Sequence, residues 1–316
     1  MKQDMSQPAS SGNPNTLLQN KFIVCLLAVF CCLLWGSAFP SIKAGYELFE
    51  IGAQDSVSQI LFAGIRFLLA GVLTIIFGSL IQRKALFPKK TSWKMVCTLS
   101  IFQTILQYLF FYIGLAHASG VKSSIINGMT TFFAIILACL VRKQERLSSE
   151  KIIGCILGTA GVVIVSLSGG SVDAGFALNG EGFILIAAVS YAISSVLIKE
   201  YSVKENPVTL SGYQFLIGGF VMMVVGFMAG GRIHLTKPIG ILLIIYMALI
   251  SSVAYSIWGI LLKHNPVSSV TIYGFSNPIF GALLSAFFLA EWDKLNIRYV
   301  AALLLVSLGI YVVNRK

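Results

Sequence analysis

Ten stretches of about 20 mostly apolar residues, parted by short charged or Gly/Pro-bearing breaks, occupy nearly the whole chain, and each can carry a helix across a bilayer core. They run from Phe22 to Ser41, Gln59 to Ile81, Trp93 to His117, Ser123 to Val141, Ile152 to Ser168, Gly182 to Ile198, Val208 to Ala229, Ile239 to Leu262, Ser268 to Ala290 and Ile297 to Val313. Inside lipid, backbone polar groups must be satisfied within the segment or in a closed barrel. Stretches of this length satisfy them as helices. Only 11% of residues are charged and the mean hydropathy is +0.86, against about 25% charged in soluble domains. The fold class expected is an all-α integral membrane protein with ten transmembrane helices.

Two halves share one polar pattern. Pairing Val121-Lys122-Ser123 with Val267-Ser268-Ser269 aligns Gly128 with Gly274, Thr130 with Ser276, Thr131 with Asn277 and Glu145 with Glu291. Upstream, Gly64, Phe67, Leu68 and Gly71 align with Gly212, Phe215, Leu216 and Gly219, and Trp35 and Lys43 with Tyr191 and Lys199. Five spans per half is an odd number, so the second half enters the membrane from the opposite side. That makes two inverted-topology five-helix repeats around a central cavity, an arrangement typical of secondary transporters. The expected organisation is a disordered cytoplasmic tail over residues 1–20, rich in Ser, Asn, Gln and Pro, then repeats over 21–170 and 176–314 forming one membrane domain.

The formal net charge of +11 would suggest nucleic acid in a soluble chain. Here its placement speaks instead of topology, because Lys and Arg mark cytoplasmic loops. With the amino terminus inside, 16 Lys and Arg fall on the cytoplasmic side and six outside, the bias resting mainly on the Arg83 to Lys94 loop. Both termini are expected inside, with the lipid bilayer and a small-molecule substrate as partners and no nucleic acid. Phe22 to Leu34 continues through Trp35 without a small-residue cleavage site and is read as a retained first span. All six cysteines fall inside spans, and no disulfide framework, metal motif or cofactor motif is present.

Charged side chains within the hydrocarbon cost about 2.5–3.5 kcal/mol on insertion scales and mark functional sites. Only Arg66 stands well inside a span, two turns from its outer end, as a satisfied structural Arg or as an anchor for an anionic group; the aligned position holds Gln214. All 12 acidic residues lie in the tail, loops or span ends, so no buried carboxylate relay is visible. The fourth and ninth spans carry matching polar faces, Ser123, Asn127, Thr130 and Thr131 against Ser269, Tyr273, Ser276 and Asn277, at helical spacing. Such residues also glue membrane helices together, but their repetition in both halves favours a cavity lining. Pro278 removes a backbone donor and permits a kink there, where a broken helix can line a cavity. Gln103, Gln107 and Phe110 on the third span, and Tyr255 and Trp258 on the eighth, add amides and aromatics, and Tyr112 aligns with Trp258. With Trp35 and Tyr191, these make a mostly apolar pocket with few polar handles, the usual form of a small-molecule site. Gly154, Gly158 and Gly161 on the fifth span are read as close packing.

Taken together, Trp35-Gly36-Ser37-Ala38-Phe39, Arg66-Phe67-Leu68-Leu69-Ala70, Glu145-Arg146-Leu147 followed by the glycine-bearing fifth span, Asn277-Pro278, Glu291 and Leu308-Gly309-Ile310 give the chain a resemblance. From Lys21 to Asn314 it resembles a ten-span member of the drug/metabolite transporter superfamily, of the EamA type. The resemblance implies two inverted five-helix repeats around a central cavity, peripheral fifth and tenth spans, and movement of amino acids, related metabolites or xenobiotics, often outward. Phe132 stands where the family often has proline, a departure from the pattern.

The reading favoured is an alternating-access carrier of small amphipathic metabolites, amino acids foremost, in a bacterial cytoplasmic membrane and exporting. Substrate contacts are expected from Trp35, Gln107, Tyr112, Asn127, Thr131, Tyr191, Tyr255, Trp258, Tyr273 and Asn277, with Arg66 assisting an anionic group. Alternatives are a drug exporter, an uptake permease, a passive channel and a non-transporting membrane partner protein. An intramembrane enzyme would need His, Asp or Glu gathered near one membrane face, and the sequence has no such cluster.

Overall fold

The computed structural model describes residues 17–52, 54–117, 126–166, 177–288 and 297–315, so most of the amino-terminal tail, Ser123 and Glu291 lie outside the described residues. Its helices are α1 (Lys21–Leu48), α2 (Ser56–Ile81), α3 (Lys90–Gly114, its last turn reaching His117), α4 (Ile126–Val141), α5 (Ser149–Ser166), α6 (Leu178–Tyr201), α7 (Pro207–Met228), α8 (Ile239–His264), α9 (Val267–Phe288) and α10 (Ile297–Asn314). Among the described residues, α1–α3 and α6–α10 have the length and hydropathy to cross a membrane, and α4 is a shorter apolar helix. Helix α1 runs seven residues past Ser41, with Pro40 inside it. Asn20, Asp55 and Asn206 start α1, α2 and α7 by accepting the backbone N–H of Phe22, Ser58 and Val208, satisfying donors that a helix start leaves free.

The most extensive helix contact joins α2 to α7, and it displays the repeat directly. Phe67 and Phe215, aligned in sequence, stack on each other with centroids 5.3 Å apart and planes 8° from parallel. Around them the contacts are reciprocal. A Cβ on Gly64 would lie 2.3 Å from the Met223 nitrogen, and one on the aligned Gly212 would lie 2.8 Å from Cγ1 of Ile75, which aligns with Met223. A Cβ on Gly71 would lie 2.6 Å from the Leu216 nitrogen, and one on Gly219 would lie 2.3 Å from the Leu68 nitrogen. Self-matching contact of this kind is what a two-fold relation produces, so the axis relating the inverted repeats passes between the two phenylalanines. Small residues allow the backbones to approach this closely, as between membrane helices generally. The pair is also tied at both ends: Asn206 Nδ2 donates to Gln82 Oε1 at 2.7 Å, and the Arg232 N–H to Ser58 Oγ at 2.9 Å.

Helices α5 and α10 form a second pair. A Cβ on Gly154 would meet the Gly309 carbonyl oxygen at 2.9 Å, and one on Gly309 the Gly154 oxygen at 2.8 Å. Gly161 lies against Ala302 and Val306, while Gly158 sits on the Phe275 ring. On the other face of α10, Leu304, Leu308 and Tyr311 are exposed, as suits a peripheral, lipid-facing pair.

At the end of the bundle where α6 and α8 finish, charged groups fasten the turn between α8 and α9. The Lys199 ammonium donates to the carbonyls of Lys263 (3.1 Å) and Asn265 (2.8 Å). On the other side, the Glu145 carboxylate accepts the Ser268 N–H at 3.0 Å, the Ser268 hydroxyl, and the Lys151 ammonium at 2.8 Å.

Glu205, in the loop between α6 and α7, is buried and accepts the N–H groups of Lys89 and Asn206, each at 2.9 Å. Burial pushes its carboxyl upward, but those N–H groups, the Ser92 hydroxyl and the Lys89 charge outweigh it and hold the pKa below the ordinary carboxylate value. A depressed folded-state pKa stabilises above the unfolded value, and the contribution is lost as pH falls through the folded one. Glu205→Gln is therefore expected to destabilise at neutral pH by about 1.5–3 kcal/mol, the range for hydrogen bonds to charged groups. Melting curves of wild type and variant should converge as the pH falls through the depressed folded-state pKa; equal curves at pH 7 would refute the role.

Candidate central cavity

The two repeats enclose a cavity of about 160 Å³. Along α1 its lining climbs from Trp35 through Phe39 to Ile42, and along α4 it runs from Asn127 to Ala134. Aromatic rings build the deeper wall. Trp35 meets Trp258 edge-on at 4.9 Å and Tyr255 at 5.2 Å, and Tyr191 meets Tyr255 at 6.3 Å. Edge-to-face pairs at these separations are favourable beyond their buried area, so the wall is stiff. The Tyr108 and Tyr255 hydroxyls, 3.0 Å apart, close a polar link between α3 and α8.

Nine of the expected contact residues line this one space: Trp35, Arg66, Gln107, Asn127, Thr131, Tyr191, Tyr255, Trp258 and Asn277. Two stand elsewhere. Tyr112 is buried in the apolar cluster around Phe67 and Phe215, near Tyr46 and Arg66. Tyr273 is buried in the core cluster beside α1, and its carbonyl accepts Cys32 Sγ at 3.3 Å and Ser276 Oγ at 2.6 Å.

Local helix geometry explains Tyr273. Residues Ile272–Ser276 form a 3₁₀ segment, in which residues three apart eclipse one another. The cavity face of α9 is consequently Thr271, Gly274 and Asn277 with Pro278, not the α-periodic Ser269, Tyr273 and Ser276. Pro278 is the sequence signal for this break: it lacks an N–H and crowds the carbonyl of Gly274. The gap left by Gly274 brings the repeats together, with Thr131 Oγ1 donating to the Thr271 carbonyl at 3.1 Å.

On α3 a π-helical stretch, Ser100–Leu106, separates Gln103 from Gln107. Gln107 lines the cavity while Gln103 is buried away from it, and Phe110 packs against Phe183 at 5.0 Å. Gln214, the counterpart of Arg66, is fully buried and accepts Thr104 Oγ1 across the α3–α7 contact. The sequence reading omitted Tyr108, Phe111, Ser195 and Ser251, which also line the cavity; Tyr108 lies one residue beyond Gln107 on the same strongly aromatic run.

Several cavity residues carry buried polar atoms with no hydrogen-bond partner. The donors are Trp35 Nε1, Trp258 Nε1, and Arg66 Nε and Nη1, and the acceptors are Gln107 Oε1 and Asn277 Oδ1. Each such group costs about 1–3 kcal/mol when left unmade, and their gathering in one place requires a reason.

Residues 22–167 and 178–315 match the EamA-like transporter family. The chain belongs to that family. This EamA protein is 28% identical to an uncharacterized transporter of Archaeoglobus fulgidus, over 94% of this chain and 99% of the relative. It is 27% identical to the uncharacterized transporter YvbV of Bacillus subtilis, over 92% and 91%. Against the uncharacterized inner membrane transporter YedA of Escherichia coli K12 it is 25% identical, over 90% of each. A solved crystal structure shares the fold with a TM-score of 0.72 at 16% identity, covering 92% of this chain and 97% of that one. This EamA protein is thus a multi-pass membrane transporter and not an enzyme.

Proposed function

We propose that this EamA protein is an alternating-access secondary transporter of small amphipathic metabolites, amino acids foremost, in a cytoplasmic membrane with both termini inside, working as an exporter. The observation that carries the reading is the cavity between the repeats, where aromatic rings surround unpartnered donors and acceptors. Such a wall suits a solute with an apolar body and a polar head. Its volume of about 160 Å³ lies below the roughly 300–1,000 Å³ of sites that enclose drug-sized ligands, which favours a metabolite over a xenobiotic. The excess of Lys and Arg on one side supports the orientation, and the naming of YedA as an inner membrane transporter supports the location.

Radiolabelled counterflow in proteoliposomes loaded with a panel of amino acids, small organic acids and cationic drugs tests the reading. The expected result is saturable exchange of a small apolar amino acid or a close analogue. Linear, non-saturable flux would favour a channel, and no flux in folded protein would overturn carrier function.

A further inference from the structure

Among the described residues, Arg66 bears the one cationic side chain on the cavity lining. It is 5% exposed, and its Nε and Nη1 find no hydrogen-bond partner. Of the described residues on the cavity lining, none offers a countercharge. The polar groups around it are neutral phenols, those of Tyr46, Tyr112 and Tyr255 and that of Tyr108, which also interacts with it as a hydrogen-bond partner, and Phe67 lies with its ring centroid 4.3 Å from the guanidinium carbon. No carboxylate among the described residues lines the cavity. Among the described residues, ion pairs join Lys151 to Glu145 and Arg142 to Glu200, at the end where α6 and α8 finish.

A buried, unpaired charge is strongly unfavourable, and arginine cannot relieve it by losing its proton. Its planar fork fits a carboxylate bidentately. Opposite in character, the unpartnered acceptors on the cavity are neutral amide oxygens, Gln107 Oε1 and Asn277 Oδ1. These can accept from an ammonium group but supply no charge to replace its hydration. As lined by the described residues, the cavity is therefore asymmetric in sign, with a full positive charge and no negative one.

Resting on the transporter reading above, we infer that a carboxylate held by Arg66 is the obligatory handle of the ligand, whereas an α-amino group is tolerated but not required. The site takes small carboxylic acids with an apolar tail, amino acids included, and rejects amines of the same shape.

The test uses four compounds with one isobutyl-type tail: leucine, 4-methylpentanoate, leucinamide and 3-methylbutylamine. Binding to the full chain in detergent is read by the change in intrinsic tryptophan fluorescence, two of the four tryptophans, Trp35 and Trp258, lying on the cavity. Both carboxylates should bind, and both compounds lacking the carboxylate should bind at least 10-fold more weakly. Arg66→Gln should abolish the preference, and Arg66→Lys should keep it with about 10- to 100-fold lower affinity. Equal binding of all four, preference for the amines, or no carboxylate binding overturns the inference. A chloride titration in the same assay separates sources: chloride displacing leucine at low millimolar concentration, with no dependence on the tail, would indicate a general anion site and overturn it too. Counterflow of the same solutes keeps the two claims apart. Carboxylate-selective binding without exchange refutes transport of these solutes but leaves the Arg66 site standing, and exchange of 3-methylbutylamine does the reverse.

Discussion

Replacing Gly219 or Gly64 with valine should eliminate the assembled protein. At each position even a Cβ would fall 2.3 Å from a backbone nitrogen of the facing helix, Leu68 and Met223 respectively. Backbone atoms cannot yield as a flexible side-chain end can, so α2 and α7 would have to separate along their whole contact. Overpacking in tight cores costs about 1–3 kcal/mol and occasionally more. Here the separation would also pull apart the Phe67–Phe215 stack and the reciprocal contacts around it, placing the effect at or beyond the top of that range. Fluorescence-detected size-exclusion should show aggregate or no monodisperse peak for Gly219→Val and Gly64→Val. Gly52→Ala is the control, since its nearest neighbour would be Asp55 Cβ at 3.7 Å, and it should behave as wild type. Folded Gly219→Val with wild-type melting would disprove the described packing of α2 on α7.

Removing the cavity groups should abolish transport without abolishing the fold, provided the substitution spares the packing. Trp258 is 3% exposed and meets Trp35 at 4.9 Å, so Trp258→Ala would lose about 3–5 kcal/mol of stability and could not report on binding alone. Trp258→Phe keeps an aromatic ring and deletes the unpartnered Nε1 donor. Asn277→Ala deletes the Oδ1 acceptor at the start of the α-helical part of α9. Each should raise the half-saturation concentration for counterflow by about 10-fold, the equivalent of one hydrogen bond of about 1.4 kcal/mol, and the double variant should be inactive. Both variants should melt within a few degrees of wild type. Unchanged half-saturation in both would remove the cavity from the transport path.

The fold was legible because its cause is written in composition. A helix that spans lipid must be long and apolar, so its position survives any ignorance of its neighbours. The repeat was legible too, and the alignment of Gly64, Phe67, Leu68 and Gly71 with Gly212, Phe215, Leu216 and Gly219 reappears as physical contact. What hydropathy could not supply is local winding. The 3₁₀ segment at Ile272–Ser276 and the π segment at Ser100–Leu106 rotate the residues within and beyond them relative to an ideal α-helix. Tyr273 and Gln103 were therefore assigned to faces they do not occupy. Pro278 warned of the first shift, whereas Ser100–Leu106 contains neither proline nor glycine and gave no warning of the second. Helix α1 was drawn short for a different reason: Lys43 and Glu47 marked a loop by charge, yet the helix continues through both to Leu48.

The stack of Phe67 on Phe215 has a further consequence for motion. In a molecule whose two repeats are inverted copies, opening to the other side can be accomplished by each repeat taking the conformation of its twin. Under such an exchange, points on the axis map onto themselves. On the alternating-access proposal, Phe67 and Phe215 are such a fixed point, and α2 with α7, tied through Gln82–Asn206 and Ser58–Arg232, would act as an axle. Contacts away from it, such as Glu145 with Ser268, have no such protection and, on the same proposal, are expected to be made and broken in every cycle. Spin labels at 82 and 206 should therefore hold one separation throughout turnover, while labels at 145 and 268 should report two.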